Sequence, residues 1–153
     1  MKKAERISAF VAQLESTGQS SLNPHYEGYF RCFNARQYYE AHDVLEHLWL
    51  RRRDENHAFF KGLIQIAGAF VHLQKQFLRP DHPKDGRRLR PAVRLFHLGV
   101  SNLDGYRPRY MRLNTDALCE LCGQLAGEIS GSDFTRNPWH PAHAPQLVLK
   151  TEE

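Results

Sequence analysis

The chain has 153 residues, a formal net charge of +4, 41% hydrophobic and 25% charged residues, enough to bury one sizeable core without staples. No apolar run approaches the roughly 18 residues of a membrane span, and Glu5, Ser8, Gln13 and Glu15 interrupt the unbroken apolar stretch that a signal peptide needs. Three cysteines, an odd number, fit a reducing compartment better than a disulfide framework, so the expectation is a cytoplasmic protein forming one domain over residues 1–153.

The dominant period is helical. Ile7, Phe10, Val11 and Leu14 fall at i, i+3, i+4 and i+7 and predict a first amphipathic helix, with Gly18 placed to stop it. Asn23-Pro24 reads as an N-cap followed by proline at the first helical position, opening a second helix that buries Tyr26, Tyr29, Phe30 and Phe33, with Asn34 able to take a left-handed turn. A third helix is predicted from about Gln37 to Arg53, with Tyr38, Ala41, Leu45 and Leu48 on one stripe and His42, Glu46 and Trp49 beside it. Asp54 and Asn56 are capping candidates for a fourth helix, His57 to Leu78, ended by Pro80. That helix is apolar almost all round and carries Gly62, Ala67, Gly68 and Ala69, so it is expected to be the central, most buried one.

Residues 79–86 read as a loop, after which Leu89, Val93, Phe96 and Val100 mark a fifth helix that Pro91 must start or kink. Asn114 or Thr115 caps a sixth helix through Leu118, Leu121, Leu125 and Ile129, followed by a proline-bearing tail over about 131–153. No period-two pattern is long enough to form a sheet. The expected fold class is therefore all-α, a single-domain bundle of five or six helices around a central helical hairpin.

One segment stands apart from ordinary amphipathic helices. It runs Phe33-Asn-Ala-Arg-Gln-Tyr-Tyr-Glu-Ala-His-Asp-Val-Leu-Glu-His-Leu-Trp49, and Gly62-Leu-Ile-Gln-Ile-Ala67 follows it. Over about residues 30–77 it resembles the bacterial and archaeal domain-of-unknown-function family 309. The resemblance implies a small all-helical protein whose family has no established activity. The family pattern has glutamate where this chain has Asp43, which keeps a carboxylate, and a glycine in the turn where this chain reads Asn34-Ala35-Arg36.

The chemistry of the segment can be read from spacing. His42, Glu46 and Trp49 fall at i, i+4 and i+7 of one predicted helix, and Gln65, Ala69 and His72 fall at the same intervals of the next. Facing each other across a hairpin, they would form a polar cleft whose ligand-binding candidates are Glu40, His42, Glu46, Trp49, Gln65 and His72. Three readings follow. The bland one is a satisfied polar network that fixes the register of the hairpin. A second is a binding or interaction module that uses the cleft. A third is a metal-assisted hydrolase in which Glu46 acts as base, His42 and His72 orient or bind a divalent metal, and Gln65 contacts substrate.

A second constellation, Cys119-Glu-Leu-Cys122 and His140-Pro-Ala-His143, has 17 residues between its pairs and the ligand types of a structural zinc site. Against zinc, cysteines at i, i+3 inside a leucine-rich helix behave as small apolar filler. His25, His57, His82 and His97 read as surface or cap residues.

Arginine clusters at 51–53, at 87, 88, 90 and 94, and at 107, 109 and 112 leave an anionic ligand or nucleic acid open, although helix-end and solvated roles account for them first. The apolar helices leave a homo-oligomer open, and no membrane partner is expected. Nothing resembles a nucleotide-binding glycine loop or a nucleophile elbow.

Overall fold

The computed structural model describes residues 5, 7, 9 and 22–151. Of the predicted first helix, Phe10, Val11, Leu14 and Gly18 lie outside the described residues, while Ile7 is buried against the core. Five helices follow: α1 (Pro24–Asn34), α2 (Tyr38–Trp49), α3 (His57–Leu78), α4 (Leu89–Leu103) and α5 (Thr115–Gly131). Each packs on its neighbour in sequence, so the fold is an all-α bundle with the α2–α3 hairpin at its centre.

The caps explain the boundaries. Asn23 Oδ1 accepts from the His25 amide at 2.8 Å and Pro24 fills the first helical position of α1, where no amide bond is forfeited. Tyr26, Tyr29, Phe30 and Phe33 are buried. Asn34 stays helical, and the left-handed residue of the turn is Arg36, φ 61°. The α2 helix ends at Trp49, short of the Arg53 expected from the sequence, and Arg51, Arg52 and Arg53 are exposed beyond it. In α4, Pro91 sits in the first turn, where its missing amide costs nothing. Asn114 caps α5 by accepting from the Ala117 amide at 3.0 Å.

The α3 helix is the central one. Phe59, Phe60, Leu63, Ile66, Phe70 and Leu73 are all but inaccessible, and the Tyr29 hydroxyl donates to the Leu63 carbonyl at 2.6 Å inside the core. Against α4 it closes through two glycines. A Cβ at Gly62 would lie 2.9 Å from the Gly99 carbonyl oxygen, and one at Gly99 would lie 2.6 Å from Ile66 Cγ1.

Two features went beyond the expected pattern. Arg109–Tyr110 and Leu113–Asn114 pair antiparallel as a minimal hairpin, with Met111 and Arg112 both at positive φ in the two-residue turn, the geometry that matches strand twist. The tail after α5 is also built into the fold. Asn137 donates to the Leu73 carbonyl at 2.8 Å, Trp139 Nε1 to the Tyr38 hydroxyl at 2.9 Å, and the Asn34 amide both donates to and accepts from the Leu147 backbone at 2.9 and 2.7 Å. The tail thus ties α3, α2 and α1 together, with Trp139 and Leu147 buried. Among the described residues no helix is long and apolar enough to cross a membrane.

Candidate functional site at the helical hairpin

On α2, the stripe Tyr38, Ala41, Leu45 and Leu48 faces the core, which sets His42 and Glu46 on the adjoining flank. His42 is held at both ring nitrogens: Nδ1 lies 3.2 Å from Asp43 Oδ1 and Nε2 lies 3.3 Å from Glu46 Oε2. Both contacts are hydrogen bonds only when both nitrogens carry a proton. The His42 and Glu46 side chains keep 28% and 29% of their exposure and Asp43 only 7%, so the imidazole spans from a buried carboxylate to a part-exposed one. Exposed Tyr39 stacks on the same ring, centroids 6.0 Å apart. Glu40, in the first turn of α2, is exposed.

The partner row on α3 turns elsewhere. Gln65 Oε1 accepts from Asn102 of α4 at 2.7 Å. His72 Nδ1 accepts from Arg88 at 3.0 Å, and Arg88 also grips Asp85 Oδ1 at 2.6 and 3.0 Å. Trp49 donates its indole N–H to the His57 carbonyl at 3.1 Å and stacks on the His57 ring at 4.8 Å. Of the six residues expected to share one cleft, Glu40 is exposed, and the other five divide into three groups: His42 with Glu46, Gln65 and His72 with α4 and its N-cap Arg88, and Trp49 with the start of α3. Helical spacing placed each row on a face, but which neighbour each face meets depends on where α4 packs.

His72 carries an electrostatic consequence. Burial first, then Arg88 and Lys75, pushes its imidazole down to about 4 from the ordinary 6.5. Between those values the unfolded chain binds more protons than the folded one, so stability must fall as pH drops from 6.5 toward 4. His25, also lowered by burial and by His47 stacked 5.4 Å away, acts with the same sign. Urea titrations across that window should show a shallower acid slope for His72→Gln, whose amide oxygen can still accept from Arg88. Equal slopes in variant and wild type would show that His72 is not the source.

Neither proposed metal set converges. Among the described residues there is no group of three or more His, Cys, Asp or Glu side chains placed to hold a metal ion. This applies to His42, Glu46 and His72, and equally to Cys119, Cys122, His140 and His143. Cys32, Cys119 and Cys122 are free and buried, and burial raises all three thiols, Cys32 to about 11, which opposes the thiolate a zinc site needs. The His140 ring packs on Phe77 at 5.1 Å and its Nδ1 accepts from the Ala142 amide at 3.0 Å.

The sequence reading also missed contributors. His82 Nδ1 accepts from the Lys84 and Asp85 amides at 3.1 and 3.0 Å and so shapes the loop that aims Arg88; His-Pro-Lys-Asp at 82–85 was the only signal for it. His57 presents a buried Nδ1 with no hydrogen-bond partner.

A helical hairpin that carries its polar groups on its flanks, closed on one side by α4, defines the class of this protein. Residues 26–80, which span nearly all of α1 and the whole of α2 and α3, match the family described as Domain of unknown function (DUF309). No curated protein and no solved structure matches it.

Proposed function

We propose that this protein is a binding or interaction module working in the reducing interior of the cell, with the α2 flank of Glu40, His42, Glu46 and Trp49 as its ligand-contacting region. The observation that supports this reading is the separation of the groups a metal-assisted hydrolase would need together. Gln65 and His72 are engaged by Asn102 and Arg88, whereas His42 is engaged by Asp43 and Glu46 on a part-exposed flank. A hydrolytic role for His42, Glu46 and His72 requires Arg88 to release His72 and α3 to turn that ring toward α2. An exposed tyrosine stacked on a part-exposed histidine that lies between two carboxylates is, by contrast, a polar surface of the kind that recognition uses. Three buried thiols without disulfides accord with the reducing compartment.

Elemental mass spectrometry on untagged protein purified without chelator tests the choice. Substoichiometric metal, unchanged in His42→Ala, is the expected result. Near-stoichiometric divalent metal that disappears in His42→Ala would replace this reading with the hydrolase.

A further inference from the structure

The arginines that the fold does not use lie together on α4. Arg88 is consumed internally by Asp85 and His72. Arg87 just ahead of the helix, and Arg90, Arg94 and His97 along it, are all exposed. Arg90, Arg94 and His97 fall at i, i+4 and i+7, one row about 10 Å long at 1.5 Å rise per residue. The helix carries no acidic residue from Leu89 to Leu103. None of the ion pairs among the described residues involves Arg87, Arg90 or Arg94. Across the α4–α5 hairpin the exposed acids are Asp104, Glu120 and Glu128, and Asp133, just past α5 and next to Phe134, is exposed too.

At the foot of this row lies a groove of about 290 Å³ lined by Gln76, Gly86, Arg87, Leu89, Arg90 and Phe134. The Arg90 guanidinium rests 4.1 Å above the Phe134 ring centroid, which fixes the plane of the fork while leaving its N–H edges without a carboxylate. Gln76 gives its oxygen to the Arg88 amide at 2.7 Å, so its NH₂ is the end left to donate. Two guanidinium groups and an amide donor around one groove suit a phosphate, which Arg binds in bidentate fashion.

We infer that the α4 face Arg87–Arg90–Arg94 binds the phosphodiester backbone of duplex nucleic acid without reading its sequence. The inference rests on the binding-module reading only in taking the chain to act by binding, and it uses a different face from the α2 flank. Arg90 and Arg94, one helical turn apart, with Arg87 just ahead of them, suit a ligand charged at every repeat better than a single phosphate. A membrane surface fits less well, because a helix lying in an interface inserts its apolar side, and here Leu89, Ala92, Val93, Phe96 and Leu103 are buried in the core, leaving Leu98 as the exposed large apolar residue of α4. A single strand fits less well too, because the ring face on which bases would stack is covered by Arg90.

The test is fluorescence anisotropy of the full chain with a short labelled DNA duplex of arbitrary sequence, over a potassium chloride series. Three phosphate contacts predict a slope of log affinity against log salt of about −3. Changing Arg87, Arg90 and Arg94 to Gln together should weaken binding by about tenfold or more and remove most of that slope. The Arg51→Gln, Arg52→Gln and Arg53→Gln triple variant should bind as wild type does. If the α4 triple variant loses its helical circular dichroism, Arg94→Gln alone should still flatten the slope by about 1. The inference is overturned if the duplex is not bound, if the α4 substitutions leave binding unchanged, or if the Arg51–Arg53 substitutions weaken it as much. It is also overturned if phosphatidylserine vesicles, single-stranded DNA or polyglutamate bind in preference to the duplex. Failure here with no metal at His42 leaves the binding-module reading standing, whereas metal at His42 removes that reading whatever the duplex does.

Discussion

Trp139→Ala is expected to destabilise the protein by about 3–5 kcal/mol, as truncation of a buried Trp does, although Trp139 belongs to no helix. The indole is 5% exposed. It meets Tyr38 and Phe77 edge-on at 6.0 and 5.4 Å and gives its N–H to the Tyr38 hydroxyl at 2.9 Å. Truncation leaves a void against α2 and α3 and also strips the buried Tyr38 hydroxyl of its donor. Trp139→Phe keeps much of the volume and loses the N–H, so a smaller cost of about 1 kcal/mol should remain. Urea denaturation followed by circular dichroism measures both. A loss under about 1 kcal/mol for Trp139→Ala would mean that the tail decorates the bundle instead of completing it.

Two glycine-to-alanine substitutions should have opposite signs. In the interior of an exposed helix alanine is better than glycine by about 0.5–1 kcal/mol, and a Cβ at Gly123 in α5 meets nothing within 4 Å, so Gly123→Ala should stabilise by that amount. At Gly99 the same Cβ would stand 2.6 Å from Ile66 Cγ1 and 3.0 Å from the Gly62 carbonyl oxygen. The second contact is with backbone and cannot be relieved by a rotamer change. The α3–α4 pair must separate, and overpacking of that kind costs about 1–3 kcal/mol, more than the propensity gain. Thermal melts of the two variants should move in opposite directions. Stabilisation by Gly99→Ala would contradict the close crossing of α3 and α4, and with it the contacts that take Gln65 and His72 toward α4.

What the sequence revealed and what it concealed divide along a physical line. Periodicity and caps are local, so Asn23-Pro24, Asn114 and the apolar run of α3 placed their helices well. The turn at Met111-Arg112 escaped notice because both residues adopt positive φ without the Asn-Gly or Asp-Gly that announces such a turn. The tail escaped for another reason. Its anchors, Trp139 on Tyr38 and Leu147 on Asn34, join residues more than a hundred positions apart, and no local pattern reports them. At the candidate site, spacing identified which residues share a face but not which helix that face meets. His42 with Glu46 is an i, i+4 pair within one helix and was legible. His72 with Arg88 depends on the loop bonded around His82 and Asp85 and was not.

The division of the polar row is the claim on which the functional reading turns, and the histidine rings report it directly. Long-range nitrogen–proton NMR spectra of the imidazoles distinguish tautomers and metal-bound nitrogens. At neutral pH His72 should be the neutral form protonated at Nε2, since Arg88 donates to Nδ1, and one equivalent of zinc should leave the His42 and His72 rings without a common shift. Joint, saturable movement of both rings at that equivalent would place them at one metal centre and contradict the account.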